Sequence, residues 1–233
     1  MKKAFRSLVK ATLIVTMVGL MVAGASWLAR EQEKGRQLVA AGRLSQMKLA
    51  LQIYEDDHGT LPPLQLRDNE GSPKQSWRAL ISPYIGGGFT NQLEQLDLSQ
   101  RWDNDHNRGI MDKVSQDRWA CFALDGSKMT LPVTTKLLAY VGRESIWDTS
   151  TELPKGKMTE NPDAILLVWI PQGKLHPLQP GDITEEEIRK VVEGGQDVLF
   201  ITAGSRWGIV TIERGELVFH SWRQVIDQRE GRH

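Results

Sequence analysis

Hydrophobic and polar positions divide the chain into three parts, and the first part contains the longest uncharged run. From Ala11 to Ala29 the chain reads ATLIVTMVGLMVAGASWLA, without a charged residue. As a helix this segment extends about 28 Å, close to the thickness of a bilayer's hydrocarbon core. The ten residues before it carry four basic side chains and no acidic one. The pattern predicts a basic cytoplasmic flank at 1–10 and a transmembrane signal anchor at 11–29, with the remaining chain outside the cytoplasm.

A second interpretation of this segment stays open. Ala23, Gly24 and Ala25 are small residues of the kind found at signal-peptidase cleavage sites. Cleavage after Ala25 would release a secreted soluble module, which would bind a ligand or a carbohydrate. We favour the anchor, because the apolar run continues past this site through Trp27 and Leu28, and a tryptophan suits the membrane interface.

The second part, residues 30–60, has the spacing of an amphipathic helix. One stripe of residues recurs at intervals of three or four, as one helix face does: Leu44, Met47, Leu51 and Tyr54. We expect this face to be buried and to be widened by Ala40, Ala50 and Ile53. We expect four polar residues to lie off it: Arg43, Lys48, Gln52 and Glu55.

The anchor and the amphipathic part are predicted to form one continuous helix, because no proline occurs before residue 62. Gly59 is predicted to be the C-cap of this helix, and the pair Pro62-Pro63 prevents its continuation.

The third part, residues 61–233, is predicted to be an extracytoplasmic head that starts with loops and short helices. The stretch LRDNEGSPKQSW, at 66–77, is rich in turn residues and is predicted to be a loop. Short helices are predicted after Ser76, near 91–96, near 104–114 and after Thr184, where three acidic residues follow the predicted N-cap.

Five later segments have the composition of β-strands. They are short, apolar and separated by turn residues, and they lie at 136–142, 164–170, 197–203, 207–213 and 216–222. Arg214-Gly215 is predicted to be the turn of a hairpin between the last two. A long N-terminal helix followed by an antiparallel sheet and short helices predicts an α+β fold.

Composition and reactive residues exclude several functions. Charged residues make up 25% of the chain and the formal net charge is zero, which argues against nucleic acid as a partner. Cys121 is the lone cysteine, so it forms no internal disulfide, and beside Trp119 it is interpreted as a small buried apolar group. The five histidines, at 58, 106, 176, 220 and 233, share no metal-ligand spacing. We therefore predict no enzyme, no cofactor and no metal.

The densest polar stretch is WDNDHNR, which contains Asp103, Asn104, Asp105, His106 and Asn107. Alternating carboxylates and amides can bind calcium, although the full calcium-loop spacing with a distal glutamate is absent. The alternative is the start of a helix, with Asp103 or Asn104 as the N-cap, and this interpretation requires no ligand.

The order of several blocks resembles a known family. These blocks are RLSQMKLALQIYEDDHGTLPP, SWRALISPYI, LDLSQRWDNDHNR, Cys121, TTKLLAYVG and AILLVWI, and the resemblance extends from about Arg43 to Phe219. The family is catalogued as domain of unknown function 1559, is best represented in planctomycete bacteria, and resembles type IV pilins or secretion pseudopilins at its N-terminus. The resemblance implies a pilin-like architecture: a membrane-inserted helix, its amphipathic extension and a β-rich head outside. It implies no enzymatic activity.

The chain departs from the pilin and family patterns at two places. Prepilins carry a Gly-Phe junction and a glutamate five residues into the mature chain, and neither occurs near KATLIVT, which begins at Lys10. Many family members have a histidine followed, after nine intervening residues, by Asp-Gly. Here Gly204 holds the histidine position and Arg214-Gly215 replaces Asp-Gly.

These observations lead to one expectation about function. We expect a single-pass protein of the cytoplasmic membrane whose head lies in the periplasm or at the cell exterior. Its role would be structural or interactive rather than catalytic, and its partners would be similar pilin-like subunits or components of a secretion system.

Overall fold

The computed structural model describes residues 2–85, 93–114, 122, 134–173 and 175–222, without the side chains of 2–15 and 30. The chain divides into two compact units, Met1–Leu38 and Val39–His233. Helix α1 spans Lys2–His58 and therefore contributes to both units. The prediction of one helix across the uncharged and amphipathic parts is confirmed.

Helix α1 ends where the sequence predicts. Gly59 has φ +77°, a left-handed conformation that glycine adopts without a steric penalty. Its N–H donates to the carbonyl oxygen of Glu55 at 2.7 Å, which satisfies one of the last carbonyl groups of the helix.

Among its described residues, the second unit contains the following short helices and two sheets. Its helices are α2 (Trp77–Ile81), a 3-10 turn (Ser82–Tyr84), α3 (Asp105–Met111) and α4 (Glu185–Glu193). A small two-stranded sheet consists of β1 (Gln65–Arg67) and β2 (Pro73–Ser76). The strands of the main sheet are β3 (Leu137–Val141), β4 (Ile165–Trp169), β5 (Ile183–Thr184), β6 (Val198–Thr202), β7 (Trp207–Glu213) and β8 (Glu216–Ser221).

The main sheet has the order β5-β3-β4-β6-β7-β8 in the described residues. All five predicted strands are present, and the α+β class with its long N-terminal helix is confirmed. Arg214 and Gly215 both have positive φ, as a two-residue hairpin turn requires. The prediction of a purely antiparallel sheet is wrong at one edge, since β5 pairs with β3 in parallel.

Most of the local helix signals are also confirmed. Ser76, Asn104 and Thr184 cap α2, α3 and α4, and Thr184 forms a capping box with Glu187. In the predicted helix near 91–96, residues 91 and 92 lie outside the described residues.

The prediction of a loop at 66–77 is wrong, because β1 and β2 form a hairpin there. The turn residues build its connection: the Oδ1 atom of Asp68 accepts hydrogen bonds from the backbone N–H groups of Glu70 and Ser72.

The core of the second unit covers both faces of the main sheet. On one face, α1 residues such as Leu44 and Leu51 belong to the same buried cluster as Leu137, Leu167 and Leu199. On the other face, Ile188 of α4 belongs to a cluster with sheet residues that include Leu138, Val168 and Phe200. Strand β4, buried at every position, therefore lies between two layers.

Two residues of the amphipathic helix differ from the predicted pattern. Ile53, expected on the buried stripe, is 37% exposed, whereas Glu55, expected off it, is only 6% exposed. The carboxylate of Glu55 accepts a hydrogen bond from the backbone N–H of Met158 at 3.1 Å. A long-range partner thus compensates the burial of this charge, and sequence spacing alone gives no sign of such a partner.

Candidate functional site

The first candidate is the surface of α1 within the unit Met1–Leu38. Every residue from Thr16 to Ala29 is exposed. The large apolar side chains among them are 52–71% exposed: Met17, Val18, Leu20, Met21, Val22, Trp27 and Leu28. A helix that is apolar all round normally lies in a membrane or is buried against protein.

The sequence predicts a membrane span at 11–29, and the structure describes the side chains of 16–29. Across the described residues, no helix has both the length and the apolar character needed to cross a membrane. The side chains of residues 11–15, which belong to the predicted span, lie outside the described residues.

The second candidate is an exposed seam on α1 within the unit Val39–His233. The seam consists of Val39, Gly42, Gln46, Leu49 and Ile53, at alternating intervals of three and four residues, and all but the half-buried Gln46 are exposed. Val39, Leu49 and Ile53 are 45%, 54% and 37% exposed. These residues share one face, because seven residues make almost two helical turns, and this face lies opposite the buried stripe, because Leu49 is about 140° around the helix from Leu44. Their spacing is that of a helix that packs along another helix.

The stretch from Asp103 to Asn107 is the start of helix α3. The Oδ1 atom of Asn104 accepts a hydrogen bond from the N–H of Asn107 at 2.7 Å. The carboxylate of Asp103 binds the guanidinium of Arg101, which lowers the pKa of Asp103 through a hydrogen bond. The buried Asn107 side chain bonds the backbone of Asp97 and Arg101. The N-cap interpretation is confirmed, with Asn104 as the cap.

The other candidates from the sequence are dispersed. Cys121 and His233 lie outside the described residues. His58 stacks on Tyr54, His106 bonds the carbonyl oxygen of Gln95, His176 stacks on Trp102, and His220 binds Glu213. Among the described residues, no group of three or more His, Cys, Asp or Glu side chains is arranged to hold a metal ion.

Sequence reasoning missed a buried ion pair between Arg78 of α2 and Asp182, the residue before β5. Arg78 Nη1 lies 3.0 Å from Asp182 Oδ1, and the two side chains are 0% and 6% exposed. The same oxygen accepts hydrogen bonds from Trp77 Nε1 at 2.9 Å and from the backbone N–H of Ala139 at 2.8 Å. Arg78 also donates to the carbonyl oxygens of Pro177, Gln179 and Gly181.

This network joins α2, the loop before β5 and strand β3 through one carboxylate. Burial raises the pKa of Asp182, while the Arg78 charge and the hydrogen bonds to Oδ1 oppose that rise. His176 lies in the same loop, and burial followed by the Arg78 charge lowers its pKa from 6.5 to about 4. No local sequence pattern could indicate this ion pair, because Arg78 and Asp182 are 104 residues apart.

A cleft of about 700 Å³ lies on the head surface, beside the ends of β4, β6 and β8. Its charged lining is balanced, with three cationic and three anionic residues: Arg143, Lys155, Arg206, Glu144, Glu160 and Asp163. Arg206 binds Asp163, and Lys155 donates to the carbonyl oxygen of Ser145. The cleft therefore has room for a small polar molecule but no strong preference for either sign of charge.

Comparison with known proteins identifies the family. Residues 29–164 match the model of a family described as "Protein of unknown function (DUF1559)", which covers more than half of the chain. Comparison with curated proteins and with solved structures finds no match. The matched range includes the amphipathic part of α1, helices α2 and α3, and strand β3. The resemblance inferred from the sequence blocks is thus confirmed, and the chain belongs to the DUF1559 family.

Proposed function

We propose that this protein is a membrane-anchored, pilin-like protein with a structural or protein-interaction role rather than a catalytic one. In this proposal the N-terminus lies in the cytoplasm, residues 11–29 cross the cytoplasmic membrane once, and the head lies in the periplasm or at the cell exterior. The observation that carries the proposal is the uncharged segment Ala11 to Ala29, which follows four basic residues and whose described apolar side chains are exposed.

The exposed seam on α1 supports the interaction role. Val39, Leu49 and Ile53 leave an apolar stripe in solvent directly opposite the stripe that the head covers. Such a stripe is stabilised when a second helix packs along it, and the sequence offers two kinds of partner: similar pilin-like subunits and components of a secretion system.

The anchor is tested by cell fractionation with intact-mass measurement of the protein in each fraction. We expect a chain with an intact N-terminus, apart from loss of Met1, in the membrane fraction. Val18→Asp places a charge in the uncharged segment and should reduce the membrane-bound share, whereas Leu49→Asp, equally exposed on the same helix, should not. Equal membrane recovery of both variants would contradict the anchor.

The interaction role is tested with a photo-reactive side chain at Leu49 in the full chain. We expect cross-links from this position to a helix of another molecule, and none from the same group at Asp112, an exposed residue at the end of α3. Equal yields at the two positions would contradict a specific helix partner.

A second candidate function is a secreted soluble module released after Ala25, and the polar cleft of about 700 Å³ favours it. A chain that begins at Ser26 in the soluble fraction would support this candidate and exclude the anchor. Cleavage just after Lys10 would instead support a processed filament subunit.

A further inference from the structure

A second, more apolar cavity lies between helix α4 and the edge of the main sheet. It has a volume of about 530 Å³. Its apolar lining comes from β3, from the segment between β4 and β5, from β5 and from α4: Leu138, Ile170, Leu175, Ile183 and Val191. Asp182 also lines it. The volume and the apolar lining are those of a small-molecule site with few polar contacts.

The carboxylate of Asp182 is bonded on one side only. Trp77, Arg78 and Ala139 all donate to Oδ1, and Oδ2 accepts no hydrogen bond from the described residues. The side chain is only 6% exposed. Since Oδ2 is not among the fully buried, unpaired side-chain atoms of the described residues, it keeps accessible surface, and a molecule in the cavity that Asp182 lines can donate a hydrogen bond to it.

The charged residues at the cavity rim already have partners. Lys190 binds Glu186 at 2.7 Å, and Glu187 accepts hydrogen bonds from Thr184 in the capping box. Arg78 already compensates the charge of Asp182 from the opposite side. A neutral hydrogen-bond donor therefore matches the site best: a cation would leave an uncompensated positive charge, and an anion would be repelled by Oδ2.

From this geometry we infer that the cavity between α4 and the sheet binds a small, neutral, mainly apolar molecule that donates one hydrogen bond to Oδ2 of Asp182. Alcohols, phenols and amides with an apolar body have this chemistry. The site lies within the head, so the inference is independent of the anchor and of the seam on α1.

The test uses the full chain in lipid nanodiscs and two fluorine-labelled probes, 4-fluorophenol and fluorobenzene, observed by fluorine NMR. Empty nanodiscs give the signal of probe that dissolves in lipid. We expect 4-fluorophenol to give a saturable bound signal with one site per chain, and fluorobenzene, which lacks the donor, to bind at least tenfold more weakly (roughly the effect of one unmade hydrogen bond to a charged group). Equal binding of the two probes, or no saturable signal from 4-fluorophenol, would overturn the inference.

A pair of variants on α4 locates the site. Val191→Phe adds a ring beside the cavity and should abolish the bound signal, whereas Glu193→Phe adds the same ring at an exposed position and should preserve it. Retention of the signal in Val191→Phe would place the bound probe elsewhere and overturn the inference. The comparison of the two probes needs no substitution, so it decides the question even if one variant does not fold.

Discussion

Two parts of helix α1 use apolar side chains in opposite ways. Between residues 16 and 29 the apolar side chains are exposed on all sides of the helix, whereas Leu44, Met47 and Leu51 are fully buried on one side. The difference follows from where charged residues occur. In the second part the half-buried Arg43 and Lys48 lie on either side of the buried stripe and limit its width, and the first part has no charged residue to set such a limit. A uniformly apolar helix surface requires surroundings that its own fold does not provide.

The head, in further contrast to the first part of α1, contains buried charges. Substitution of one of these charges has the largest expected effect on stability. Arg78→Met should destabilise the head by about 3–5 kcal/mol, because Asp182 would stay buried without its cation. Urea unfolding of the full chain in detergent, followed by tryptophan fluorescence, to which the fully buried Trp77 and Trp147 contribute, measures this change. Arg143→Met is the control, since this arginine is exposed and its ion pair with Glu185 contributes little. Equal midpoints for the two variants would show that the network is dispensable.

The two faces of α1 within the head give a sharper comparison. Leu44→Ala should cost about 3 kcal/mol, because a fully buried side chain leaves a cavity in the core. Leu49→Ala, five residues later and 54% exposed, should change the unfolding free energy by less than about 0.5 kcal/mol. The same urea titration measures both. A large loss for Leu49→Ala would mean that a partner already covers the seam in the purified protein.

Acid should destabilise the head through His176. Its pKa in the folded head is lowered from 6.5 to about 4, so the head favours the neutral ring. The contribution of the neutral ring to the unfolding free energy is complete above pH 6.5 and is lost as the pH falls toward 4. The whole contribution is about 3 kcal/mol. His176→Asn retains an acceptor for the N–H of Leu178 but does not titrate, so unfolding titrations between pH 7 and 4 should show a shallower loss. His106→Gln, on the exposed side of α3, should keep the steep loss.

The smallest expected effect concerns the cap of α3. Asn104→Ala should cost about 1 kcal/mol, because the N–H of Asn107 loses its acceptor, and Asn104→Asp should preserve the stability. Thermal unfolding with and without calcium completes the comparison. A rise in the melting temperature with calcium that disappears in Asn104→Ala would restore the calcium interpretation of this stretch.

The sequence predicts the elements of this fold better than their contacts. The strands at 165–169 and 207–213 follow from continuous apolar, β-branched runs, and the caps at Ser76 and Thr184 follow from local side-chain chemistry. Strand β5 was missed because two residues are too few to form a pattern.

Contacts between distant residues were beyond the reach of local patterns. Glu55 has the charge of a surface residue, and only its bond to Met158, 103 residues away, explains its burial. The pair of Arg78 and Asp182 and the cavity beside it depend on the same kind of long-range contact. The spacing of residues along the chain indicates one helix or strand at a time. A site whose residues come from several helices and strands is therefore seen only in the folded chain.

The short strand β5 has a consequence for how copies of this head behave when they are crowded together. An open sheet edge invites another chain to add a strand, and the risk increases with the number of free backbone groups. At this edge the strand has two residues, and helix α4 begins at the next one. Heads held at high density on one surface would find little backbone here to pair with, so this edge favours contacts through side chains over growth of a shared sheet.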